Sequence, residues 1–167
     1  MSALRLLNET TASSVSAVVI DPVFTTDFNV YKIVTFQDGF SGNTSIDGHF
    51  VYNGSVNKTS NYDVGRFLLK ATGSFTTETT INNDDFRSFG EADNDGSTSV
   101  SYIYNPMDPN TYTLMHNENV SANSVFSMKG IAALKQNSQV TGIRFFTDNG
   151  GAMTNFTCRI YGLRCDT

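Results

Sequence analysis

Tryptophan is absent, cysteine and histidine occur twice each, and proline three times in 167 residues. Two cysteines are too few for a disulfide framework. Cys158 reads as a small buried hydrophobe inside a strand and Cys165 as an exposed thiol in the tail, with a bridge between them as the alternative. The two histidines, His49 and His116, carry no signature of a nucleophile, base and orienting group. Both read as structural or surface residues, and His49, between Gly48 and Phe50, is expected to face away from the core. A cysteine–histidine site would need Cys158 beside one of them. No catalytic residue and no cofactor site is expected.

Charge is also scarce, at 16% of residues, and the net charge is −5. The eleven basic residues are scattered with no two adjacent, which excludes the clustered cations that nucleic-acid binding draws on. No apolar run is long enough for a membrane-spanning helix. The apolar stub of residues 1–7 meets Asn8-Glu9, too early for a signal-peptide core, so the protein is expected to stay in the cytoplasm that makes it. On that expectation the six Asn-x-Ser/Thr triplets, at Asn8, Asn43, Asn53, Asn57, Asn119 and Asn155, are by-products of an amide- and hydroxyl-rich surface.

What the sequence does have is phenylalanine, thirteen of them, with seven tyrosines. Each fully buried Phe contributes about 1.5–3 kcal/mol, so a core needs no metal or disulfide. Runs of β-branched and aromatic residues alternate with Asn, Gly, Ser and Asp clusters, and no amphipathic helix is visible. The fold expected is all-β: a single-domain antiparallel β-sandwich, jelly-roll-like, with about eight to ten strands. Residues 1–12 read as an N-terminal arm, 13–164 as the sandwich and 165–167 as a tail. Strands are expected at 14–20, 28–36, 46–52, 62–71, 98–104, 111–116 and 124–134, while residues 72–97 read as a loop pinned by Phe86 and Phe89.

Residues 140–163 carry the strongest pattern: two strand-like runs flank Asn149-Gly150-Gly151 and read as a closing hairpin. Ile143 and Phe145 share a face of the first run, and Phe156, Cys158 and Ile160 share a face of the second. These five are expected to be buried together. The acidic stretch around Asp93 and Asp95 offers a calcium candidate, though it lacks the spacing and terminal Glu of an EF-hand loop and also fits ordinary turn chemistry. Tyr52, Tyr62, Tyr104, Tyr112 and Tyr161 are candidates for stacking on sugars or anchoring an interface.

The terminal pattern Val140-x-Gly142-Ile143-x-Phe145, Gly150-Gly151, then Cys158-Arg159-Ile160-Tyr161-Gly162-Leu163 resembles that of small tailed-phage virion proteins. Those end in an I-x-F strand, a Ser/Asn/Gly-rich turn and an I-x-L-Y-G-I strand. Phe28-Asn29-Val30-Tyr31-Lys32-Ile33 is similar to their early Tyr-rich strand. Gly96 with Tyr102-Ile103-Tyr104-Asn105-Pro106 is similar to the segment near their middle in which a Gly precedes an Asn-Pro pair. Cys158 stands where a small or β-branched residue is usual, and Leu163 where Ile is common. The resemblance implies a jelly-roll-like virion component assembled in a bacterial cytoplasm, with the major capsid protein or other virion proteins as partners and a homo-oligomeric state. Two roles follow as expectations: a capsid decoration or cement protein, or a tail-fibre component that recognises host glycans.

Overall fold

The computed structural model describes residues 3–42, 44–92, 96–122 and 126–164. Among them the protein forms an antiparallel β-sandwich whose sheets have eight and five strands. The larger sheet runs β1 (Ala3–Val15), β13 (Met153–Arg164), β3 (Val30–Gln37), β9 (Ser97–Tyr104), β10 (Thr113–Ser121), β11 (Phe126–Leu134), β6 (Tyr62–Lys70), β7 (Phe75–Asn83). The smaller places β12 (Gly142–Thr147) between β2 (Ala17–Ile20) and β4 (Thr44–Tyr52). The outer edge of β4 pairs with β8 (Phe86–Ala92) at one end and the two-residue β5 (Ser55–Val56) at the other.

Four expectations change. Among the described residues there are thirteen strands where eight to ten are expected, the excess coming from short or edge strands such as β5 and β7. The closing hairpin is not a hairpin: β12 pairs with β2 and β4, whereas β13 pairs with β1 and β3 in the other sheet. The Gly150 turn, at φ 77°, therefore arches across the sandwich. Ile143 and Phe145 look into the core from one layer, and Phe156, Cys158 and Ile160 from the opposite one. All five are at most 1% exposed and share one cluster, with the Phe145 and Phe156 rings 5.3 Å apart. Residues 3–12 are not a free arm; they form most of β1, in register with β13 from Ala3↔Arg164 to Val15↔Met153 with one bulge after Leu6. The stretch read as a loop after residue 72 holds β7 and β8.

The core is a chain of touching rings between the sheets. Phe50 meets Phe86 at 4.7 Å, Phe86 meets Phe89 at 5.3 Å, and Phe89 meets Phe145 at 4.8 Å. Tyr62, fully buried beside them, keeps its hydroxyl satisfied by accepting from the Phe50 N–H and donating to the Asn57 carbonyl. Farther along, the same inner face turns polar: Thr35 and Ser99 hydroxyls lie 2.6 Å apart, and Ser101 donates to Asn117.

The glycines of the terminal pattern have a steric reason. A Cβ on Gly162 would lie 2.6 Å from the Phe28 ring, and one on Gly142 would strike the Ile20 carbonyl oxygen and sit 2.6 Å from Asp21 Oδ1. Both mark places where another group must approach the strand closely.

Candidate functional site

The inner face of the eight-stranded sheet meets its partner sheet, while its outer face is open and unusually apolar. The ladder register places residues on that face in rows across the sheet. One row runs Leu4, Leu163, Val30, Tyr104, Leu114, Ala133; the next runs Leu6, Tyr161, Lys32, Tyr102, His116, Ile131, Gly65, Thr79. Farther along, Phe36, Thr98, Val120, Ser127, Leu69 and Phe75 lie side by side. Alternation with a buried inner face produces this surface, because each second residue of a strand must point outward. In β10 the exposed series is Leu114, His116, Glu118 and Val120, opposite buried Thr113, Met115, Asn117 and Asn119.

A water-facing sheet ordinarily carries polar residues there. Here Leu4, Leu6, Phe36, Phe67, Leu69, Phe75, Leu114, Val120 and Ile131 are all 42–64% exposed. So many large apolar side chains exposed on one face are what an interaction site would show. Three ion pairs lie on the face, which also carries Lys32. Lys129 contacts Glu118 at 2.6 Å, Arg159 contacts Glu9 at 3.1 Å, and Lys135 contacts Asp63 at 2.9 Å. The Lys129 ammonium holds the Glu118 carboxyl below its usual range.

Toward the β7 edge the face dips into a groove of about 470 Å³. Gly65, Ile131 and Ala133 line it together with Tyr104, Leu114 and His116 from β9 and β10 and Thr79, Thr80 and Ile81 from β7. Beside it rises a ridge, Phe67 and Phe75 with rings 5.7 Å apart and Leu69 directly opposite Phe75 in the register.

The residues singled out from sequence scatter over the molecule. Tyr62 is core, Tyr104 lines the groove, Tyr161 is half-buried on the open face, and Tyr112 is 48% exposed in the loop before β10. Tyr52 is half-buried and accepts a long 3.4 Å hydrogen bond from Gln136. Asp93, Asp95 and Cys165 lie outside the described residues, and among those described no group of three or more His, Cys, Asp or Glu is placed to hold a metal. Cys158 is buried on the inner face of β13, where desolvation pushes its thiol well above the ordinary range. His116 lies on the outer side of the same sheet and His49 on the far side of the other, so neither shares a layer with Cys158.

His49 does face away from the main core, yet it is only 4% exposed. Its ring stacks on Phe146 at 4.5 Å, and Arg144 Nη1 donates to its Nδ1 at 3.1 Å while also lying 4.6 Å from the Phe146 centroid. Desolvation and then the Arg144 charge lower its pKa to about 4. Between that value and the unfolded pKa of about 6.5, the unfolded state binds the extra proton. Stability from this site is therefore complete above about pH 6.5 and is lost as pH falls toward 4. Comparing His49→Gln with wild type by urea unfolding, we expect the stability gap to shrink by about 2 kcal/mol between pH 7 and pH 4.5. A gap that does not change with pH would contradict a neutral, desolvated imidazole.

No protein-family model matches the sequence. No curated protein matches it either. Among solved structures it is similar to an exo-inulinase from Aspergillus awamori, with 10% identity over 98% of this chain and 30% of that one and a TM-score of 0.49. A fructofuranosidase from Schwanniomyces occidentalis aligns at 5% identity over 96% of this chain and 34% of that one, TM-score 0.28. A human SPRY domain aligns at 12% identity over 93% and 88%, TM-score 0.26. The protein spans about a third of the length of the two glycosidases. At these scores the likenesses carry no argument about activity, and the open sheet face remains the feature to explain.

Proposed function

We propose that this protein is a non-enzymatic structural component of a tailed-phage particle, a decoration or cement protein that sits on the head and bridges neighbouring capsid subunits. The observation that carries this reading is the open apolar face of the eight-stranded sheet, on which Glu118 pairs with Lys129 and Glu9 with Arg159. Such a face suits docking on a protein surface, and the terminal residue pattern supports a virion as its setting. A standard interface covers about 800 Å² per partner, within reach of a face this wide. Binding that favours the assembled shell over its separated subunits raises the shell's resistance to rupture by mass action. The major capsid protein is the expected partner.

The tail-fibre role has one observation in its favour: exposed Tyr112 lies in a loop where the Asn137 amide donates to the Asn110 carbonyl, an aromatic and amide setting of the kind that suits a sugar. Quantitative mass spectrometry of purified particles separates the two. Decoration predicts a copy number comparable with that of the major capsid protein, retained on heads stripped of tails. A small copy number that leaves with the tails would overturn it.

A further inference from the structure

The groove and the ridge at the β7 end of the open face lie on the same strand, β6, and have matching character. Gly65 lines the groove, and Leu69 stands on the ridge four residues later, about 13 Å away along the strand. Phe67 lies midway between them. A two-fold axis passing near Phe67 and across the strands carries the ridge of one copy onto the groove of another, and the reverse. That is the condition for a self-complementary contact, in which one patch serves both partners.

We propose that this half of the face pairs two copies of the protein in an isologous dimer, with the Leu69–Phe75 ridge of each seated in the groove over Gly65 of the other. The occupant is a second copy rather than a charged partner because this half carries no unbalanced charge to be met. Glu118 is neutralised by Lys129 and Asp63 by Lys135, while the protein as a whole is at −5. Elsewhere on the surface that net charge makes two copies repel. The exposed parts of Phe67, Leu69, Phe75, Ile81, Leu114 and Ile131 amount to roughly 700 Å², close to the ~800 Å² per partner of a standard interface. The contact leaves Leu4, Leu6 and Phe36, at the β1 end of the face, for other partners. It rests on reading this face as a docking surface and does not depend on the virion assignment.

Sedimentation equilibrium of the purified full-length protein over a concentration series tests it. Wild type is expected at twice the 18.3 kDa of one copy. Gly65→Leu fills the groove, and its Cβ meets only Ile131 Cγ1 at 3.7 Å, an ordinary contact, so the monomer is expected to keep its thermal midpoint. It should weaken the dimer at least about tenfold, and Leu69→Asp should do the same by placing a charge on the ridge. Val19→Asp alters an equally exposed apolar residue on the other sheet, 54% exposed, and should leave the dimer intact. A wild type that stays monomeric throughout, a closed trimer or larger ring, or a dimer that neither Gly65→Leu nor Leu69→Asp weakens would each overturn the proposal. A dimer sensitive to both in a protein missing from virions would sink the decoration role and leave this inference standing.

Discussion

Ile160→Asp is expected to abolish cooperative folding at neutral pH. Ile160 is fully buried in β13, flanked in the ladder by Asn8 of β1 and Ile33 of β3, with its side chain in the core that both sheets share. The substitution loses the burial of a large aliphatic side chain, about 1.5–3 kcal/mol. It also leaves a carboxylate in an apolar cluster without a cation, at a further cost of several kcal/mol unless the group takes up a proton. Together these rival the roughly 5–15 kcal/mol that holds a domain folded. Thr157→Asp, on the opposite face of the same strand, should cost less than about 1 kcal/mol. Circular-dichroism melts of the two variants read the register directly. An Ile160→Asp variant melting like wild type would show that β13 presents its other face to the core.

Phe86→Ala is expected to cost about 3–5 kcal/mol, on the order of a 10 °C fall in melting temperature for a protein this long. Its ring touches Phe50, Tyr62 and Phe89, and it packs directly over Gly48, where a Cβ would overlap it and lie 2.8 Å from Phe89. The void cannot be filled from below, because Gly48 has no side chain to move into it. Gly48→Ala is thus destabilising in wild type, by about 1–3 kcal/mol of overpacking, and much less so beside Phe86→Ala. A double-mutant cycle by urea unfolding should show coupling of at least about 1 kcal/mol. Strict additivity would contradict the packing of β8 against β4.

The parts of the fold legible in the sequence were those where alternation meets a core. Phe156, Cys158 and Ile160 recur at every second position because one face of β13 is sealed. Pairing partners were not legible. The five residues between β12 and β13 are long enough to cross the ~10 Å between packed sheets, and both strands turn their apolar faces to one core whether they pair or oppose. β7 gave no signal because its Thr-rich run is an edge strand, almost entirely exposed, held by backbone bonds to β6. β1 is similar: Asn8, Glu9, Thr10 and Thr11 look like an arm, yet their backbone follows β13 residue for residue.

The open face was hidden for a related reason. Leu114, Ile131, Leu69 and Phe75 come from four different strands, and only the register brings them onto one surface. Taken singly, each is an exposed hydrophobic residue of no special meaning. Gly65 serves as an open position in the groove only because Thr79 and Ile131 stand beside it.

The outer face of the eight-stranded sheet, proposed above as the protein-docking surface of a particle component, is open to direct test. A cryo-electron-microscopy reconstruction of intact particles tests it most directly. Copies of this sandwich are expected over the head, with Leu4, Leu6, Phe36, Leu69 and Phe75 covered by neighbouring protein and the His49 side of the molecule turned toward solvent. Particles without the protein, or copies that leave the whole eight-stranded face bare to water, would contradict it.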